Sequence, residues 1–211
     1  METIWFDKLD STQNYLVEQI KNGSLCAPVC IASHTQTNGI GSRLNKWEQQ
    51  EEALLFSFAM PIALLPHDLK IESASIYFMY ILKDMLEKKG SACWFKWPND
   101  IYLEDKKMAG AITSFLKEQD VLVCGIGVNI SGSKEYGNCD IKTDKKNLLC
   151  EYLSVFQAPP NWKDIFINFE VEFLKTREKM LLLGSLKSHE NVTLNSDGSL
   201  CIDNKKVYSL R

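Results

Sequence analysis

Lys96-Trp97-Pro98-Asn99-Asp100-Ile101-Tyr102-Leu103-Glu104-Asp105-Lys106-Lys107-Met108-Ala109-Gly110-Ala111-Ile112 gathers cations, carboxylates, an amide and a run of small residues into seventeen consecutive positions. Side chains grouped in this way suit an anionic partner, and they equally suit a polar hairpin between two strands. Cys93–Trp97 and Gly110–Leu116 read as strands at its two ends, and Lys117–Asp120 reads as a turn. Val121–Ile130 is apolar on both faces, which predicts a strand buried in the middle of a sheet.

Upstream, Asp68–Lys89 carries Ile71, Ala74, Phe78, Ile81, Leu82 and Met85 at three- and four-residue steps before Gly90, which predicts a packing helix. Ala53–Met60 alternates, with Leu54, Phe56, Phe58 and Met60 on one face. Val29–His34 reads as a strand that runs into Thr35–Trp47, a polar, glycine-bearing loop with little to bury. Thr3–Phe6 predicts a first strand. Asp10, Ser11 and Thr12 then offer capping oxygens to a helix that turns Leu16, Val17 and Ile20 inward and ends near Gly23.

Downstream, Ser131–Asp144 is polar loop. Lys145–Phe156 and Asn161–Leu183 have helical spacing, broken by Pro159-Pro160 and ended by Gly184. The tail changes character: Val192–Leu194, Leu200–Ile202 and Val207–Leu210 read as short strands joined at Asp197-Gly198 and Asp203-Asn204. The expectation is an α+β fold, a mixed sheet flanked by helices, with a main unit at 1–185 and a small β-module at 186–211 that buries too little to stand alone.

Composition narrows the function. The 211 residues are 45% hydrophobic and carry a net charge of -3, so there is no general attraction to nucleic acid or anionic membrane, and phosphate binding must be local. No apolar run reaches the length of a membrane span and Met1–Asp10 lacks the pattern of a signal peptide, which predicts a cytoplasmic protein. The seven cysteines are scattered without a C-x-x-C pair, and the three histidines have no metal-ligand spacing. Gly39–Leu44 lacks the third glycine of a dinucleotide fingerprint and no Gly-Lys-Ser/Thr follows it, so both common nucleotide-loop templates fail. What is left is a loop with Arg43, Lys46 and Trp47, able to wrap a phosphate and stack a base, or else a solvated loop whose tryptophan anchors in the core.

Taken together, Lys96–Asp100 (Lys-Trp-Pro-Asn-Asp), Lys107–Gly110 (Lys-Met-Ala-Gly), Asp10–Thr12, the loop 36–47 and Gly125–Asn129 (Gly-Ile-Gly-Val-Asn) resemble the catalytic domain of biotin protein ligase, over about residues 3–180 and in the family's order. The resemblance implies a class II synthetase-like mixed sheet followed by a small SH3-like β-module. It implies a two-step enzyme: biotin and MgATP give biotinyl-5'-AMP and pyrophosphate, and biotin is then passed to one lysine of a biotin carboxyl carrier domain, that of acetyl-CoA carboxylase or another biotin-dependent carboxylase.

Bringing a carboxylate to a phosphate sets anion against anion, at about 4 kcal/mol per unit pair at ~4 Å and an effective dielectric of roughly 20, so a fixed cation is needed. The resemblance assigns that role to Lys107, with Asp100 and Arg43 as further catalytic residues. Asp100 either holds Mg²⁺ indirectly or orients the incoming lysine. Biotin would meet Ser11, Thr12, Gln36, Gly39, Ile40, Gly41, Ser42, Lys107 and Gly110, where a bare Gly110 lets substrate lie on the backbone. ATP would meet Arg43, Lys46, Trp47, Lys96, Asn99 and Asn129, with Trp47 over the adenine. No cluster supplies direct protein ligands to a metal.

The family's loop reads Gly-Arg-Gly-Arg-x-Gly-Arg-x-Trp, whereas Ile40, Ser42 and Asn45 stand at the three arginine positions here. Either Arg43 and Lys46 take over, or the adenylate is held loosely. The first strand begins at Thr3, which leaves no room for the DNA-binding domain that some members carry, so a monofunctional ligase is expected. The resemblance also allows a homodimer, because members often pair through a sheet edge. Two alternatives stay open: a lipoate or octanoate ligase of the same fold, and a non-catalytic biotin or adenylate sensor.

Overall fold

The computed structural model describes residues 1–42, 45–48, 50–132, 135–183 and 192–209. In chain order the elements are β1 (Glu2–Leu9), α1 (Thr12–Lys21), β2 (Val29–Gln36), β3 (Glu52–Pro61), α2 (Ala74–Lys88), β4 (Trp94–Lys96), β5 (Asp100–Leu103), β6 (Lys106–Leu116), β7 (Val121–Ser131), α3 (Lys145–Ser154), α4 (Trp162–Leu182), β8 (Val192–Leu194), β9 (Leu200–Ile202) and β10 (Lys205–Val207). Seven strands form one mixed sheet in the order β1-β2-β3-β7-β6-β5-β4, parallel only between β1 and β2. The mixed sheet flanked by helices is therefore present, and the buried Val121–Ile130 run lies in its middle as expected.

The two faces of the sheet bury different things, and the period-2 alternation of β3, β6 and β7 shows how. On one face Leu54, Phe56, Phe58 and Met60 join Leu122, Cys124, Ile126 and Val128 beneath α2, α3 and α4 in the larger core. On the other face Ala59, Val121, Val123 and Leu116 pack with Leu16 and Ile20 of α1. Continuing along that second face the side chains shrink: β7 presents Gly125 and Gly127, paired with Ser57 and Leu55 of β3 and with Ile112 and Gly110 of β6. Loss of side-chain volume beyond the edge of α1 opens a cleft on the sheet. The alternation expected for Ala53–Met60 is thus incomplete, since β3 is buried on both faces.

Three further details differ from the sequence reading. The helix expected from Asp68 begins as a 3-10 turn at Ile71–Ser73 and becomes α-helical only at Ala74. Asp68 is used elsewhere: its two carboxylate oxygens accept from Trp162 N at 3.0 Å and Lys163 N at 2.9 Å, capping α4. The stretch 96–112 is itself mostly sheet, with a turn at 97–99 and β5 returning through Glu104-Asp105 into β6. Glu104 adopts φ 54, the left-handed conformation such a two-residue turn requires.

The tail forms an antiparallel meander, β8-β9-β10, whose Asp203-Asn204 turn has φ 49 and 62. Val192 and Leu200 belong to the larger core. Three consecutive carbonyls of the β8–β9 turn are caught from the main sheet side: Ser196 O by Trp162 Nε1 at 2.9 Å, Asp197 O by the Ser73 hydroxyl, and Gly198 O by Trp97 Nε1 at 2.8 Å. The last strand is Lys205–Val207 rather than Val207–Leu210, and Leu210, the Gly184 stop and the 185/186 boundary lie outside the described residues.

Candidate active-site cleft

The cleft is lined by residues from the start of α1, the end of β2, the loop after it, the turn before β5, and strands β3, β6 and β7, of which β6 and β7 supply its glycines. At one end lies a polar cluster. The Ser11 hydroxyl caps α1 by accepting from Asn14 N at 3.3 Å. The Thr12 backbone N–H and hydroxyl donate to Gln36 Oε1 at 2.7 and 3.0 Å, and Thr12 Oγ1 lies 2.9 Å from Ser57 Oγ. These donors and acceptors sit over the glycine floor, with Leu55, Ile112 and Ile126 among the other lining residues.

At the other end stands Lys107. Its Nζ is 2.6 Å from Asp100 Oδ1, and Asp100 pairs directly with Gly110 across β5 and β6. A Cβ on Gly110 would come within 2.8 Å of Lys107 Cε and Nζ and 2.9 Å of Asp100 Oδ1. The bare backbone at 110 therefore accommodates this ion pair, where the sequence reading had placed substrate. The same logic holds at Gly127, where a Cβ would fall 2.5 Å from Trp47 Cε2 and Cζ2: the indole lies on the glycine. Lys107 Nζ is 5.8 Å from the Trp47 ring centroid, so cation and aromatic face one another above the floor.

The loop between β2 and β3 is less open than its polarity predicts. Ile40 and Lys46 form an isolated antiparallel bridge, Gly41 N donates to Asn45 O at 2.7 Å, and Trp47 N donates to Gly39 O at 2.8 Å. This small hairpin places Ile40, Gly41, Ser42 and Trp47 on the cleft, with Gly39 buried behind them and Lys46 exposed. Arg43 lies outside the described residues.

Of the expected site residues, Ser11, Thr12, Gln36, Ile40, Gly41, Ser42, Trp47, Asn99, Lys107 and Gly110 line the cleft together, and Asp100 touches it through Lys107. Asn99 has part of its amide engaged already, donating to Ala111 O at 2.6 Å. Lys96, Lys46 and Asn129 do not line it. Lys96 donates to the Tyr102 hydroxyl at 2.8 Å, and burial, reinforced by Lys107 and opposed by Asp100, holds its ammonium below the usual lysine range. Asn129 ties down the loop after β7: its Nδ2 donates to Gly137 O at 3.3 Å and Gly137 N donates to Lys107 O at 3.0 Å. Gln13, Ser57 and Ser114 are polar groups that the sequence reading missed. Gln13 was legible, since it falls in phase with Leu16 and Ile20 and so puts an amide on the apolar face of α1.

A glycine-floored cleft with hydrogen-bonding groups at one end and a lysine–carboxylate pair at the other has the chemistry to hold a small, polar-headed molecule ending in an anion. Residues 5–131 match the biotin/lipoate A/B protein ligase family. A crystal structure of biotin acetyl coenzyme A carboxylase synthetase from Helicobacter pylori with bound biotinylated ATP superimposes with TM-score 0.87 at 34% identity, covering 97% of this chain and 98% of that one. Biotin–protein ligase 2 of Arabidopsis thaliana is 30% identical over 142 residues, 62% of this chain and 41% of that protein. The bifunctional ligase/repressor BirA of Escherichia coli is 32% identical over 130 residues, 58% of this chain and 39% of that protein. The match thus spans about two fifths of those two relatives. The chain belongs to the biotin/lipoate A/B protein ligase family.

Proposed function

We propose that this chain activates biotin with ATP and passes it to a lysine of a biotin carboxyl carrier domain. The observation that carries the reading is the joining, in one cleft, of the Thr12–Gln36–Ser57 hydrogen-bonding cluster with Lys107 over Gly110. The cluster suits a cyclic urea, which needs donors and acceptors in an otherwise apolar pocket, and Ser11 lies beside it. In this reading Lys107 meets the carboxylate end, and Trp47 with Asn99 meets the adenine.

In the first step a biotin carboxylate oxygen attacks the α-phosphorus of ATP, the bond to the β-phosphate oxygen breaks, and pyrophosphate leaves. Lys107 offsets the repulsion between the two anions. Drawn toward the nucleotide, it leaves Asp100, whose carboxylate is then available. In the second step the carrier lysine, as a free amine, attacks the acyl carbon, AMP departs, and Asp100 is placed to take the proton. Mg²⁺ would enter with the triphosphate, and Asp100, paired with Lys107, is the carboxylate that would meet it in this reading; among the described residues there is no group of three metal-ligating side chains. Arg43 and Lys46 extend the positive charge of the loop, and Lys96 and Asn129 support the strands that carry Asp100 and Lys107. Residues 1–185 form the catalytic unit in this reading, acting in the cytoplasm, with 186–211 as its buttress. No described helix is long and apolar enough to cross a membrane.

Incubation with biotin and MgATP, followed by mass spectrometry, tests this reading. Biotinyl-AMP should form, and adding a carrier domain should move the biotinyl mass to that domain. Adenylation of lipoate in place of biotin would move the chain to the lipoate branch of the family, and biotin binding without pyrophosphate release would make it a sensor.

A further inference from the structure

We infer that Gln13 sets the ligand specificity of the cleft by accepting a hydrogen bond from a ring N–H of the bound acid, an inference that rests on the proposed biotin-activating function. Gln13 is only 3% exposed, lines the cleft, and has its amide orientation fixed from one side. Its Nε2 donates to Ser114 Oγ at 3.2 Å and to the Val123 carbonyl at 3.4 Å. Turning the amide over would set oxygen against the Val123 carbonyl oxygen, so Oε1 must face the other way. There it lies 2.7 Å from where a Cβ on Gly125 would stand, with Ser57 Oγ 2.9 Å from the same point. Among the described residues nothing donates to Gln13 Oε1.

The neighbouring hydroxyls sharpen this. The Thr12 hydroxyl proton goes to Gln36 Oε1, so the Ser57 hydroxyl is the donor in the 2.9 Å contact with Thr12 Oγ1. Ser57 Oγ and Gln13 Oε1 therefore both present lone pairs over Gly125. Two fixed acceptors in a buried corner reject a head group that cannot donate, because filling the corner strips them of water and returns nothing. A cyclic urea brings ring N–H groups. A dithiolane or a plain alkyl chain brings none. The corner distinguishes these acids on hydrogen bonding alone, separately from the carboxylate chemistry at Lys107.

The test is calorimetric binding of biotin, lipoate, octanoate and the two biotin analogues in which one or the other ureido N–H is replaced by ring oxygen. The native protein is compared with Gln13→Met, which preserves length and volume and removes the acceptor. Native protein should bind one of the two oxygen analogues about tenfold more weakly than biotin. Gln13→Met should lose biotin affinity by a similar factor, no longer distinguish that analogue, and hold lipoate no less well than native protein does. Should Gln13→Met fail to melt cooperatively, Gln13→Asn, which withdraws the oxygen by about one bond length, is expected to behave in the same way. Equal native affinities for biotin and both analogues, or a variant with native biotin preference, would overturn the inference and leave the biotin-activating function standing. Native protein that binds no biotin would refute the function and this inference with it.

Discussion

Lys107 Nζ and Asp100 Oδ1 meet at 2.6 Å directly above the bare backbone of Gly110, so the cleft holds its principal cation in an ion pair. A β-methyl on Gly110 would occupy the space of that pair. Gly110→Ala is therefore expected to lower kcat/KM for adenylate formation by roughly ten- to a hundredfold, through displacement of Lys107 rather than loss of charge. The thermal midpoint should change little. Steady-state kinetics beside thermal melting checks both parts.

Trp47 rests on Gly127 with no room for a methyl group between them. Gly127→Ala should lift the indole from the sheet, cost about 1–3 kcal/mol of stability as an overpacked site, and raise KM for ATP more than KM for biotin. Urea unfolding and separate substrate titrations measure these quantities.

Glu172 on α4 is a buried carboxylate that accepts from Phe95 N at 2.6 Å and pairs with Lys83 at 2.5 Å, their side chains only 11% and 6% exposed. Burial pulls the Lys83 ammonium toward neutrality, but its hydrogen bonds to Glu172 and Glu87 outweigh this and hold its pKa above the usual lysine range. Glu172→Ala leaves Lys83 with Glu87 as its remaining carboxylate partner and strands the β4 amide, and should cost about 1–3 kcal/mol. The Glu172→Leu/Lys83→Met double variant should recover part of that loss. Denaturant titration of the native protein and the two variants measures both changes.

Asp197, in the β8–β9 turn, is pushed up by burial but held well below the usual carboxylate range by Lys206, Ser199, Lys70 and Tyr208. A depressed folded-state pKa stabilises above the unfolded value of about 4 and is lost as pH falls below it. Asp197→Asn should lower the thermal midpoint at pH 7 and flatten the decline of stability on the acid side. Melting curves from neutral to acid pH for both proteins show whether the slope changes.

The sheet was legible because its central strand is apolar on both faces and its helices keep their period. The start of α2 was not, because Asp68 has the residue type of its own helix's first turn yet caps α4, a partner ninety-odd positions away in sequence. The lining of the candidate cleft was legible where short motifs carry it, at Ser11, Thr12, Gln36, Trp47, Lys107 and Gly110. Ser57 escaped because a polar side chain inside a strand announces nothing until its face is known, whereas the phase of Gln13 with Leu16 and Ile20 does mark it as inward-facing. The family resemblance marks Lys96 and Asn129 as ATP contacts; in the structure Lys96 is engaged by Tyr102 and Asn129 by Gly137. Glycines 125 and 127 read as part of a motif, but their use as a cleft floor follows from register with Ser57 and Gly110.

The most direct measurement is biotin-dependent exchange of labelled pyrophosphate into ATP by the native protein and by Lys107→Ala. Exchange should require biotin, should not be supported by lipoate, and should fall by at least about a hundredfold in the variant. Exchange that continues unchanged without Lys107, or none with native protein and biotin, would contradict the proposed mechanism.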